Sequence, residues 1–421
     1  MSILIAMGLD PRDNVKAYWS VSKPHKYTPW FGQMMPRNRF EAIFHTFLHA
    51  GGVHVEEQEK IEPFLESLQA QFQTAFYPGR EVSIDEMVIS YNGRWRKKQF
   101  NSSKLSKYHI KTFGLCDNAT GYVINVFTYY GKRTVYHPDS DPDSLQAVKV
   151  FQKLLEPLDR GHYIFADRFY TSFSLLEYLT SKSFYYTGTI DARRCNLPVQ
   201  PKTLKLDHLQ MKWYIYKDGK YLCVAFRDKK AKKNVSVVSS LSDSSTTPVE
   251  TRRCLTVQKP TMITAYNNMN GWDRADQNVG YYGMHKRKSI KWWKKIFHWL
   301  LQLCHINARI LFLLTHTEPP PRHSLVKFKD ALISQLTEAA AALNAAPEPA
   351  PTMPALNTPQ NAHVQVVARL APESHFAETV RADRNCKVCS KPGNRKRTTK
   401  TSRPGTLELS SRSPRAVLTN S

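Results

Sequence analysis

The chain has 421 residues, 41% hydrophobic and 11% aromatic, which is material for one large domain or two plus tails. Sixty Lys and Arg against 35 Asp and Glu leave a net charge of +25, pointing to a polyanionic partner, with nucleic acid ahead of an anionic membrane surface. No apolar run reaches a membrane span, because 299–314 is interrupted by Gln302, His305, Asn307 and Arg309, and seven scattered cysteines argue for reduced thiols inside a cell.

The first residues have no basic lead-in and run into Asp10-Pro11-Arg12-Asp13, which makes a poor signal peptide and an abrupt start that reads as an incomplete N-terminus. Residues 1–80 carry helical spacing, with Ile43, Phe44 and Phe47 on one face and Phe64, Leu65, Leu68 and Phe72 on another. From 81 the texture turns to strands. Residues 82–90 are β-prone and bear Asp85 and Glu86 at their centre. Asn92-Gly93 marks a turn, and strands at 108–116 and 122–130 flank the loop 117–121. A helix over 145–158 precedes the apolar run Tyr163-Ile164-Phe165, which ends at Asp167. Thr171 or Ser172 then caps a helix through Phe173, Leu175, Leu176 and Leu179, and 184–190 is another strand. This alternation predicts a mixed α/β sheet. Three strands over 211–239 read as a β insertion within 204–260. Helix returns over 264–314, with Asp273 and Asp276 near one face. A last helix at 325–343 and an Ala/Pro-rich linker lead to a tail from 381 with eleven Lys/Arg, two acids and Cys386-x-x-Cys389.

A carboxylate at the end of a buried strand, just before a helix, stands where α/β folds place ligands, which singles out Asp167. Asp85 inside a strand and Asp273 at a helix start add two more acids. Carboxylates converging on hard cations hold Mg²⁺, and two such ions serve phosphodiester chemistry. Surrounding cations suit a DNA backbone. Those singled out are Arg94, Arg96, Lys97 and Lys98 around Trp95, with Lys104, Lys107 and Lys111 beside them, and Lys286, Arg287, Lys288, Lys291, Lys294 and Lys295 around Trp292 and Trp293. His109 and His162 read as structural. No Gly-rich phosphate loop occurs.

Five stretches together resemble the piggyBac transposases and their domesticated derivatives. They are Ser83-Ile-Asp-Glu-Met-Val-Ile-Ser-Tyr-Asn-Gly-Arg94, the run from Tyr108 through Cys116-Asp-Asn-Ala-Thr-Gly-Tyr122, Tyr163-Ile-Phe-Ala-Asp-Arg-Phe-Tyr-Thr-Ser172, Tyr186-Thr-Gly-Thr-Ile190 and Gly271-Trp-Asp-Arg-Ala-Asp-Gln277. Pro36-Arg-Asn-Arg-Phe40 fits the family's upstream helices. The resemblance implies an α/β, ribonuclease-H-like (DDE transposase) catalytic core at 81–203 and 261–316, with an inserted β subdomain at 204–260. Around it would lie a shortened dimerisation and DNA-binding region at 1–80, a helix and linker at 317–380, and a basic tail at 381–421. It implies cut-and-paste transposition at TTAA sites by a homodimer on double-stranded DNA, a nuclear address and no membrane or small-molecule substrate. Asp85, Asp167 and Asp273 would be catalytic and, with Asp276, hold two Mg²⁺. The family's Gly-Gly-Val-Asp at the third acid is here Asn270-Gly271-Trp272-Asp273, and Trp beside a ligand is expected to shift its helix. Cys386 and Cys389 are two of the four ligands a structural zinc needs, so they read as the remnant of a finger and zinc is not expected. The rival expectation is an inactive derivative that keeps the fold and binds DNA or chromatin.

Overall fold

The β-prone run around Asp85 forms β1 (Glu81–Ser90), the strand on which the sheet is centred. A two-residue strand β2 (Gln99–Phe100) and the long β3 (Tyr108–Asp117) follow. β3 returns antiparallel along β1, pairing Val82 with Asp117 and Ser90 with His109. β4 (Val123–Thr128) folds back on the far side of β3. The chain then crosses over through α5 (Gln146–Leu155; the helices α1 to α4 lie upstream) to β5 (Tyr163–Ala166), and through α6 (Phe173–Ser181) to β6 (Tyr185–Thr189). β5 is parallel to β1 and β6 is parallel to β5, the pairings that require such crossovers. Ser172 caps α6, its hydroxyl accepting from the Leu175 amide at 3.3 Å. β4 and β5 are buried along their whole length, as strands covered on both faces must be.

The structure, a computed structural model, describes residues 1–46, 58–191, 204–217, 219–250, 256–269, 271–316, 324–345, 377–385 and 397–402. They fall into two units, 1–343 and 344–421. In the first, β7 (Met211–Tyr216), β8 (Tyr221–Phe226) and β9 (Val235–Ser239) extend the main sheet, giving the order β2-β3-β1-β5-β6-β9-β8-β7 with β4 also on β3. The segment read as an inserted β subdomain thus covers the open edge of β6, through pairs such as Thr187–Ser239. An uncovered edge would leave a row of unpaired backbone groups. β10 (Thr246–Glu250) and β11 (Thr256–Pro260) form a separate ladder beside the main sheet order.

Three upstream helices, α1 (Ser2–Leu9), α2 (Pro29–Met34) and α3 (Arg37–Thr46), build a small core of Ile3, Met7, Tyr18, Phe31 and Phe40, closed by Met284. α4 (Glu62–Ala75) packs on β4. The helical return at 264–314 is broken into α7 (Thr261–Asn268), α8 (Gly271–Gly280) and α9 (Trp292–Thr315). By length and apolarity α9 meets the criterion for a membrane span, which the sequence reading did not anticipate. It is instead a core helix: Trp299, Leu300, Leu303 and Ile306 are buried, and Asn307 bonds inward. α10 (Leu325–Ala345) follows. In the second unit, β12 (Ala377–Asn385) pairs antiparallel with β13 (Arg397–Ser402), where no regular structure was expected. Cys386 and Cys389 lie outside the described residues, as do Phe47 and most of the Ala/Pro-rich linker.

Asn307 ties α9 to β4. Its side-chain oxygen accepts from the Val123 amide at 3.0 Å and its amide donates to the Val123 carbonyl at 2.8 Å. Both groups are buried, so Asn307→Leu strands a donor and an acceptor. Unfolding free energy should fall by roughly 2–4 kcal/mol in urea titrations, whereas an exposed control such as Asn38→Ala should change it by less than about 0.5 kcal/mol.

Candidate active site and its basic surround

The parallel register that pairs Ile84 with Ala166 puts the next residues, Asp85 and Asp167, side by side where β5 stops and β1 runs on. Neighbouring strands lie about 4.8 Å apart, and equal offsets from a paired position send both side chains to the same face. Asp85 is half-buried and accepts from the Glu86 amide at 2.7 Å. The Asp167 carboxylate accepts from the Phe169 amide, and its backbone carbonyl accepts from the Tyr170 amide, which tightens the turn into α6.

The third acid arrives on α8, which docks on the same face. Gly114 is the cross-strand partner of Asp85, and a Cβ there would come within 2.0 Å of the Trp272 ring. The Trp that replaces the smaller residue of the resembled motif is therefore seated over a glycine and buried. The start of α8 sits on the β3–β4 turn. The Gly271 amide donates to the Asn118 side chain at 3.2 Å, and Arg274 donates to the carbonyls of Asn118 and Ala119. Gly121, at φ +76°, completes the turn, and a Cβ on Gly271 would lie 2.7 Å from the Asn118 Cα. Asp117 is structural: buried, it accepts from the Gly79 amide, the Thr120 amide and the Thr120 hydroxyl.

Asp85 and Asp167 are brought together; Asp273 and Asp276 are not brought into the same cluster. Both are exposed on α8. Among the described residues no three His, Cys, Asp or Glu side chains stand close enough to hold a metal ion. The link is electrostatic: the hydroxyl of Tyr266 on α7 is raised by burial first and then by the charges of Asp167, Asp85 and Asp273. Burial pushes the Asp85 carboxyl up to about 7, with the charges of Asp167 and Glu86 adding to it. Asp276, solvent-accessible but crowded by the protein around it, is raised by that partial desolvation, with Lys104 opposing and Asp273 adding to the rise. Two like charges on one half-buried face, with all-oxygen donors, suit one end of a hard divalent cation site. Asp273 faces that region from α8 without joining the donor set.

Glu86 is treated differently. Burial opposes its ionisation, but Lys111 at 2.5 Å and Lys104 at 3.6 Å outweigh it and hold its carboxyl below the usual range. The Lys111 ammonium also lies over Phe113 and Phe169, at 4.7 and 4.3 Å. Tyr266, Glu86 and Lys104 are site neighbours that the sequence reading gave no role in the acid cluster. Glu86 was signalled by its adjacency to Asp85, whereas Lys104 and Tyr266 lie 19 and seven residues from the nearest of these acids and carry no such signal.

The cations sort by exposure. Arg94, Arg96, Lys107, Lys286, Lys288 and Lys291 are exposed. Lys98 is spent internally, donating to the Gly93 carbonyl at 2.9 Å and lying over Tyr108. Lys294 donates to the Phe44 and His45 carbonyls. Lys295 departs from the expectation of a DNA contact: it is 5% exposed, bonds to the His285 carbonyl, and burial lowers its pKa to about 8. Trp292, expected as a base-stacking candidate, is buried and stacked on Trp95 at 4.8 Å. Trp293 is half-buried between Lys60 and Lys291. A groove of about 1250 Å³ is lined by Arg12, Lys60, Arg287, Lys288, Lys291 and Trp293 among others, with Asp13 the one carboxylate on its wall among the described residues. His109 and His162 are structural, bonding to the Ser106 carbonyl and the Tyr77 hydroxyl.

The family model described as Transposase IS4 matches residues 1–309. The human piggyBac transposable element-derived protein 3 is 29% identical over 291 residues, which cover 65% of this chain and 48% of that protein. The human piggyBac transposable element-derived protein 2 is 22% identical over 323 residues, 73% of this chain and 53% of that protein. The chain thus spans about half the length of the curated relatives it matches. The solved piggyBac transposase synaptic complex with hairpin DNA superimposes with a TM-score of 0.66 at 19% identity, covering 92% of this chain and 83% of that one. That likeness establishes the fold, a ribonuclease-H-like α/β core with flanking helices.

The raised Asp85 pKa has a stability consequence in the metal-free protein. The folded state holds this proton up to about pH 7, while an unfolded chain releases it near 4. Stability therefore falls as pH rises from about 4 to 7, and the cost of the buried charge is complete above that. Asp85→Asn should stabilise the protein at pH 8 in EDTA by on the order of 2–3 kcal/mol and have no effect near pH 4. Urea unfolding at the two pH values checks it; an equal effect at both would overturn it.

Proposed function

This chain belongs to the Transposase IS4 family, and on that premise we propose that it binds double-stranded DNA and carries out metal-dependent phosphodiester cleavage and strand transfer at TTAA sites. The observation that carries the reading is the Asp85–Asp167 pair, set side by side on a protein of charge +25, where burial and the Asp167 charge raise Asp85 and Lys104 only partly offsets them. Two like carboxylates held together in this way are arranged for a positive guest rather than for stability.

DDE transposases act with divalent metal ions. Asp85 and Asp167 would hold one, with Asp273 and Asp276 completing a two-Mg²⁺ arrangement. A bound divalent ion would neutralise the pair and polarise the phosphodiester oxygens. The chain's own groups do the rest. The exposed Arg94, Arg96 and Lys107 on one side, and the groove with Lys288 and Lys291 on the other, hold the phosphate backbone. Lys104 and Lys111 neutralise Glu86, so that Asp85 faces one acidic neighbour on its face rather than two. Cleavage adds a water oxygen to phosphorus, breaks the P–O3′ bond and leaves a protonated 3′ hydroxyl. In transfer that hydroxyl attacks a target phosphodiester, a 3′ oxygen leaves, and its proton passes to the new leaving group. The protein would act on nuclear DNA as a homodimer.

The exposed position of Asp273, outside the donor cluster, favours a second reading: a derived protein that binds DNA without cutting it. Both readings are tested with purified protein and a TTAA-centred duplex. Cleavage should require Mg²⁺ and fall at least about 10³-fold in Asp167→Asn, with DNA affinity unchanged or slightly raised by the lost negative charge. Binding without any Mg²⁺-dependent cleavage by the wild type supports the second reading. Cleavage that persists in Asp167→Asn overturns the first.

A further inference from the structure

The hairpin between β2 and β3 carries apolar surface that the fold does not use. Leu105, at its tip, is 104% exposed, and below it Phe100 and Tyr108 are 61% and 45% exposed with ring centroids 5.0 Å apart. A single exposed leucine needs no explanation. This one has a setting. From 87 to 116 the chain contains seven Lys or Arg and no Asp or Glu. The residue before Leu105, Lys104, reaches back to Glu86 at 3.6 Å, next in sequence to Asp85, and Lys107 is exposed two residues on. Ser102, Ser103 and Ser106 leave the tip small and polar apart from the leucine. The hairpin is anchored from below: the Asn101 amide donates to the Lys107 carbonyl at 2.9 Å and the Asn101 side chain accepts from Ser103.

We propose that this hairpin is a DNA wedge, in which Leu105 enters the base stack of a duplex held at the Asp85–Asp167 site while Lys107 takes a flanking phosphate and Lys104 stays tethered to Glu86. An apolar side chain between two cations is the chemistry by which proteins unstack a base step, at a cost of a few kcal/mol offset by phosphate contacts. The tether of Lys104 to Glu86 keeps the tip within a few base steps, each about 3.4 Å, of a phosphate that approaches Asp85. The inference rests on the DNA-binding reading above. Cationic density, seven Lys or Arg and no acid from 87 to 116, selects DNA as the partner.

The test uses the full chain with the TTAA-centred duplex in EDTA, so that nothing is cut, and 2-aminopurine substituted at each adenine in turn. Anisotropy reports binding and 2-aminopurine emission reports unstacking. With wild type, emission at one or two adjacent positions should rise at least about twofold. Leu105→Ala should bind within about threefold of wild type and lose the rise. Leu105→Phe should keep it. The site is fully exposed, so neither change threatens the fold. Binding with no rise, or a rise undiminished in Leu105→Ala, overturns the wedge and leaves the DNA reading standing. No binding by the wild type overturns that reading and the wedge with it.

Discussion

The parallel pairing of β1 with β5 is the constraint on which the acid pair depends. Asp85 and Asp167 lie 82 positions apart in sequence, and the Ile84–Ala166 register makes them neighbours. Because side chains alternate across a strand, a slip of one residue would send Asp85 to the opposite face. That face is filled by Phe113, Phe151 and Tyr170, whose rings lie 5.5 and 6.3 Å from one another in series. The register is held by apolar burial: Val82, Ile84, Ile164 and Ala166 are at most 1% exposed. The sheet thus keeps two like charges together against their own repulsion, which a structure selected only for stability would avoid.

Much of this was legible in the sequence, because strand-prone runs, their turns and the crossover helices leave local signals. The cap at Ser172 and the turn at 117–121 both follow from side-chain chemistry within a few residues. The resembled motifs added the order of parts. They did not separate acids that hold a guest from acids that hold the chain. Asp117, inside one of those motifs, is 2% exposed and accepts three hydrogen bonds. Asp85, half-buried, accepts from the Glu86 amide. The difference lies in partners that come from Gly79, 38 residues upstream of Asp117, and no local pattern carries that.

What the sequence hid was decided by contacts across long separations. Trp95 lies in a basic stretch singled out for DNA contact, yet its ring stacks on Trp292 and closes the core. Lys295 reads as one more surface cation, but the periodicity of α9 turns it inward, where it donates a hydrogen bond to the His285 carbonyl. Trp272 reads as a disturbance beside an acid. The absent side chain of Gly114, more than 150 residues earlier, is its seat. Each case pairs a residue with a partner whose identity is evident and whose proximity is not.

The acidic residues at the centre of β1 divide the electrostatic work. Glu86 points away from Asp85, as neighbours in a strand do, and is neutralised by Lys104 and Lys111. Lys111 then lies over Phe169, whose amide binds the Asp167 carboxylate. One ammonium group thereby connects the hairpin of β3 to the turn that aims Asp167. If Glu86 were unpaired, its charge would raise Asp85 further and favour a protonated acid with little affinity for a cation. If Lys111 instead paired with Asp85, the pair would be self-sufficient and closed to any guest. With Lys111 paired to Glu86 and Lys104 shared between Glu86 and a partial offset of Asp85, the acid pair stays open to a positive partner from outside the chain.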